Sequence, residues 1–81
     1  MKILVGLVLW FGLLFGVVDI NNANEKELIS LKGIGMSKAK TIIEYRKTHC
    51  FKIIDELVKV KGIGSKIIEK NRTNLTVGEC K

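Results

Sequence analysis

Eighty-one residues, 47% of them apolar, with eight glycines, two cysteines and no proline, amount to one small domain at most. The composition excludes a disulfide-dense mini-protein, a proline-rich linker and an acidic disordered chain, and a core this small leaves little material for the cleft of a self-contained enzyme. A formal charge of +6 favours a polyanionic partner, nucleic acid first and an anionic membrane surface second.

The chain opens with Met1 and Lys2 and then sixteen uncharged residues, Ile3 to Val18. A single lysine before such a run has the form of an export signal. As a helix it would reach about 24 Å, short of a hydrocarbon core of about 30 Å. Small residues are poorly placed for cleavage around Gly16, Val18 or Ala23, so both a released domain and a retained amino-terminal anchor are open. Residues 1–18 are therefore expected as signal or anchor, 19–77 as the folded domain and 78–81 as a tail.

Asn24 followed by Glu27 suits a capping box, which predicts a helix from about Glu25 to Leu31 with Leu28 and Leu31 on one face. Gly33-Ile34-Gly35 then marks a tight turn with Ile34 as an inward plug. A helix is predicted from Ser37 to about Lys47, carrying Ala39, Ile42, Ile43 and Arg46 at helical spacing. His49 and Cys50 lead to Phe51, expected over the core with Tyr45. The pattern then recurs: a helix from about Ile54 to Lys59 with Ile54, Leu57 and Val58 inward, a turn over Val60–Gly64, and a helix from Ser65 to about Leu75. Lys32-Gly33-Ile34-Gly35 is repeated as Lys61-Gly62-Ile63-Gly64 at an offset of 29 residues. Two copies imply a pseudo-symmetric pair around one core rather than a solenoid. No strand is predicted, and the expected fold is all-α, four short helices behind a hydrophobic export or anchor segment.

A hairpin that feeds a helix leaves the first helical amides unpaired at the positive end of the dipole. Glycines let a phosphate oxygen approach those amides. The candidate DNA-binding residues are Lys32, Gly33, Ile34, Gly35, Ser37 and Lys38 in the first copy, and Lys61, Gly62, Ile63, Gly64, Ser65 and Lys66 in the second. Between Lys32 and Arg72 stand eleven lysines and arginines against Glu44, Asp55, Glu56 and Glu69. Amides and lysines read phosphate rather than base edges, so little sequence preference is expected. An even cysteine count in an exported chain predicts a Cys50–Cys80 disulfide. A zinc site from His49, Cys50 and Cys80 lacks a fourth ligand, and an adjacent Cys–His nucleophile lacks an orienting group. No metal, cofactor or catalytic residue is assigned.

Two Gly-Ile-Gly turns between short helices resemble the tandem helix-hairpin-helix DNA-binding domain, and Asp19–Val77 is similar to the ComEA-type competence family. Ile20-Asn21-Asn22-Ala23, Glu27-Leu28, Leu31 to Gly35, Lys38-Ala39, Ile42 to Arg46, Phe51-Lys52, Asp55-Glu56-Leu57, Val60 to Gly64 and Ile68-Glu69-Lys70 carry the likeness. The chain departs from the family pattern at Lys32 and Met36, where proline is common, at Ile53, where a polar cap is usual, at His49-Cys50, which replaces Gly-Pro, and at Asn71, usually apolar. The resemblance implies an exported protein, periplasmic or otherwise extracytoplasmic, that captures and retains double-stranded DNA during natural transformation alongside the uptake machinery. Single-stranded DNA is the less supported ligand, since Tyr45 and Phe51 are the only aromatics beyond the leading run. The membrane would be touched only through a retained leading segment. The competing reading is a cationic envelope peptide or scaffold on anionic membranes.

Overall fold

The computed structural model describes residues 16–80; the expected signal or anchor lies almost wholly outside them. Its order is β1 (Val18–Asp19), α1 (Glu25–Ile29), α2 (Met36–Arg46), a 3-10 helix (Ile54–Lys59), α3 (Ser65–Asn71), a 3-10 turn (Arg72–Asn74) and β2 (Leu75–Thr76). Among the described residues no helix is long and apolar enough to cross a membrane.

α1 is capped as its sequence predicts. The Asn24 side chain accepts from the Glu27 amide at 2.8 Å, and Glu27 accepts from the Asn24 amide at 2.9 Å. A helix of five residues is far below the length that is stable alone, so the cap and the complete burial of Leu28 hold it together. α2 starts one residue before the predicted Ser37 and ends one before Lys47, with Ala39 and Ile42 buried.

Three expectations are corrected. The segment Ile54–Lys59 winds as a 3-10 helix, with three residues per turn rather than 3.6. Positions three apart therefore share a face: Leu57 and Val60 are buried and Ile54 is half-buried, while Val58, expected inward, is 51% exposed. The last helix stops at Asn71 instead of Leu75 because the Asn71 backbone reaches φ −114, ψ 1, outside the helical well. The fold is also not purely helical. Val18 pairs in parallel with Leu75 and Asp19 with Thr76, a two-residue ladder between the two ends of the domain. Val18, placed by sequence in the leading segment, is a buried core residue.

One core joins both halves: Ile20, Leu28, Leu31, Ile34 and Ile42 from the first copy meet Phe51, Leu57, Val60, Ile63 and Ile68 from the second. Tyr45 packs half-buried against it, stacked on Phe51 at 5.4 Å between ring centroids and on His49 at 4.5 Å. A polar staple closes the ends. Asn21 donates to the Phe51 and Gly78 carbonyls and accepts from the Phe51 amide, and Asn22 donates to the Glu79 carbonyl. Asp19 accepts from the Asn21 and Gly78 amides. Cys50 and Cys80 are joined by a disulfide, so the expected tail is fastened to the middle loop.

Candidate nucleic-acid interface

Each Gly-Ile-Gly sequence forms the same turn. The Ile34 amide donates to the Leu31 carbonyl at 3.2 Å, and the Ile63 amide to the Val60 carbonyl at 3.1 Å. The third residues of these turns, Gly33 and Gly62, have φ of +83 and +92, while among the described residues none other than glycine has positive φ. A four-residue turn with positive φ only at its third position is type II, which needs glycine there. Ile34 and Ile63 are buried and anchor the turns to the core, as plugs beneath the loops.

The second glycine of each pair has a different role. Gly35 and Gly64 are extended and cap α2 and α3 with no side-chain hydrogen bond. A Cβ built on either would meet nothing within 4 Å. Neither conformation nor packing requires glycine at these positions; the bare backbone leaves space on the solvent side. The amides of Met36, Ser37, Ser65 and Lys66 donate to no backbone group among the described residues, as expected of first-turn amides. They are neighbours of this open space.

Charge at these two helix starts runs opposite to the usual preference. α1 and the 3-10 helix carry acids in their first turns, whereas α2 and α3 carry none. Lys38 and Lys66 stand there instead, facing the positive end of the dipole. Without an anion this arrangement is unfavourable.

The hairpins brace each other across the pseudo-twofold. The nearest side chain to a Cβ at Gly33 would be Ile67, and the nearest to one at Gly62 would be Lys38; Ile67 and Lys38 are themselves 29 residues apart. The Lys38 stem thus lies across the second turn, while its ammonium donates to the Gly33 carbonyl at 3.4 Å. Of the sequence-predicted residues, Lys32, Gly33, Gly35, Ser37, Lys61, Gly62, Gly64, Ser65 and Lys66 are exposed, and Lys38 is half-buried between the turns.

Asn71 is a contact that the sequence reading left out. It is 1% exposed, and its carboxamide bonds to both backbone groups of Lys32. The signal was a polar residue at a position where helical spacing demands an apolar one. Elsewhere on the surface, Arg72 bridges Asp55 and Glu69, which raises its pKa further and occupies both acids. Among the described residues no group of three histidine, cysteine or acidic side chains could hold a metal ion.

Comparison with known proteins agrees with this geometry. A family model for the helix-hairpin-helix motif matches residues 15–76. ComE operon protein 1 of Bacillus subtilis (strain 168) is 44% identical over 62 residues, 75% of this chain and 30% of its own. An uncharacterized protein of Haemophilus influenzae is 42% identical over 60 residues, 72% of this chain and 54% of its own. The endonuclease/exonuclease/phosphatase family domain-containing protein 1 of Danio rerio is 41% identical over 61 residues, 74% of this chain but 11% of its own. The chain thus spans from about a tenth to about half the length of these relatives.

Proposed function

Because the chain belongs to the helix-hairpin-helix family, and resembles its ComEA-type members, we propose that it binds double-stranded DNA through the phosphate backbone, largely without sequence preference. The observation that carries this reading is the pair of uncapped helix starts at Gly35 and Gly64, each open to solvent and flanked by lysine rather than by acid. One phosphate oxygen would take the amides of Gly35, Met36 and Ser37, and another those of Gly64, Ser65 and Lys66. Lys32, Lys38, Lys61 and Lys66 would add attraction that salt screens. Duplex rather than single-stranded DNA is favoured because Tyr45 and Phe51 stack on each other and lie in or against the core, leaving neither free as a base-stacking platform.

The biological setting follows from the ComEA-type resemblance together with the apolar leading run. We read the protein as exported, holding incoming DNA in the cell envelope beside the uptake machinery. Many weak phosphate contacts suit retention, since sliding exchanges one phosphate for the next without releasing the strand. The membrane-acting alternative is disfavoured by the same core, which uses the apolar faces that an interfacial helix would need.

Fluorescence anisotropy of the full-length chain with duplexes of unrelated sequence tests the reading. With roughly four to six phosphates neutralised, log K against log salt should have a slope near −4 to −5. Gly35→Ser and Gly64→Ser are the informative variants. Serine is as good a cap as glycine or better, but its hydroxyl would take an amide that the phosphate needs. Each change should weaken binding about tenfold while helicity and melting temperature hold. Tight binding by both variants, or an isotherm indifferent to salt, would remove the assignment.

A further inference from the structure

Asn71 is the last residue of α3 and a polar side chain buried in the core. Its Oδ1 accepts from the Lys32 amide at 2.8 Å, and its Nδ2 donates to the Lys32 carbonyl at 2.9 Å and to the Ile67 carbonyl at 2.8 Å. Both hydrogens and one lone pair of the carboxamide are thereby used. Lys32 is the second residue of the first turn, so its two peptide groups are the ones that set the turn's tilt against the domain. Among the described residues no side chain fastens the backbone of Lys61 in this way. The position 29 residues before Asn71 is Ile42, wholly buried, which has no polar group to offer the backbone of Lys61.

We propose that Asn71 is a positioning residue for DNA binding. It fixes the first hairpin in the orientation that presents the amides at the start of α2, and makes the two hairpins unequal: the first is held more firmly than the second before DNA arrives. This rests on the DNA-binding reading above. A turn held by its own backbone hydrogen bond and its isoleucine plug can still rock on its flanking peptides. Tying both peptide groups of Lys32 to a buried, rotamer-locked side chain removes that freedom in the free protein, so less entropy is lost on binding. Lysine also brings an amide hydrogen that needs a partner, and Asn71 supplies it from the far end of the repeat.

The test is Asn71→Leu in the full-length chain, which keeps the side chain's size and deletes its three bonds. Affinity for duplex DNA should fall about tenfold and the salt slope should become shallower by about one. Amide exchange should quicken at Lys32 and Ile34 more than at Ile63. A purely structural loss would not single out one hairpin, so double variants decide the matter. The Asn71→Leu penalty should vanish in a Gly35→Ser background and persist in a Gly64→Ser background; equal penalties in both, or unchanged affinity, overturn the proposal. Should Asn71→Leu alone fail to fold, Lys32→Pro provides a second route, because proline presets the second position of a type II turn and has no amide hydrogen to satisfy. Adding Asn71→Leu to Lys32→Pro should then cost clearly less than tenfold, since only the carbonyl tie is left to lose, and a full further tenfold loss would refute the role. If neither serine variant weakens binding by itself, the hairpin reading fails and this inference with it.

Discussion

At the residue scale, Gly33 and Gly35 carry the same letter for different reasons. Gly33, like Gly62, holds a left-handed backbone that costs an L-residue about 1–2 kcal/mol. Gly35, like Gly64, is extended with empty space beside it. Gly33→Ala and Gly62→Ala should each lower unfolding stability by that amount, measured by urea denaturation. Gly35→Ser and Gly64→Ser should leave stability intact and lose DNA instead. The repeated Lys-Gly-Ile-Gly located both turns in the sequence, yet a string of letters does not divide the two glycines into one that bends the chain and one that clears a path. Nor does it show Asn71 meeting Lys32 across 39 positions.

At the element scale, local signals were legible where one turn of chain carries them. The Asn24–Glu27 box, the glycine turns and the stripe of Ala39 and Ile42 are all of this kind. The 3-10 segment was not, because leucine and valine at 57 and 58 satisfy a 3.6-residue period as well as a three-residue one. Its start is organised by Glu56, whose carboxylate accepts from the Lys52 amide and, at 3.4 Å, from that of Ile53. Donation from Lys52 chiefly, opposed by desolvation and aided by Ile53 and the charges of Lys59 and Lys52, holds its pKa below the ordinary 4.5. A carboxyl depressed by folding contributes stability above its unfolded pKa and loses it as pH falls through the lower folded one. Glu56→Gln should therefore flatten the acid limb of a stability–pH curve below about pH 4.5, while leaving the neutral plateau of helicity in place.

At the scale of the whole molecule, closure comes from contacts that periodicity does not encode. The two-residue ladder between Val18–Asp19 and Leu75–Thr76 is too short to leave an alternating pattern in either segment. Asp19 is the second ladder residue of β1. Burial pushes its carboxyl up, but donation from the Asn22 side chain and from the Gly78, Asn21 and Asn22 amides outweighs this and holds the pKa low. A Cβ at Gly78 would overlap that carboxylate, which accounts for the glycine there. The Cys50–Cys80 bridge, with a separation of 30 residues, closes a loop worth about 3–4 kcal/mol in the chain-entropy description. Reduction should lower the melting temperature in calorimetry yet spare duplex affinity at temperatures where the domain stays folded, since the bridge ties the middle loop to the carboxyl end and includes no hairpin residue. The parallel sense of the ladder has a mechanical consequence. Tension applied to the two termini would drag its strands past one another lengthwise, so the bonds must yield together instead of unzipping in turn.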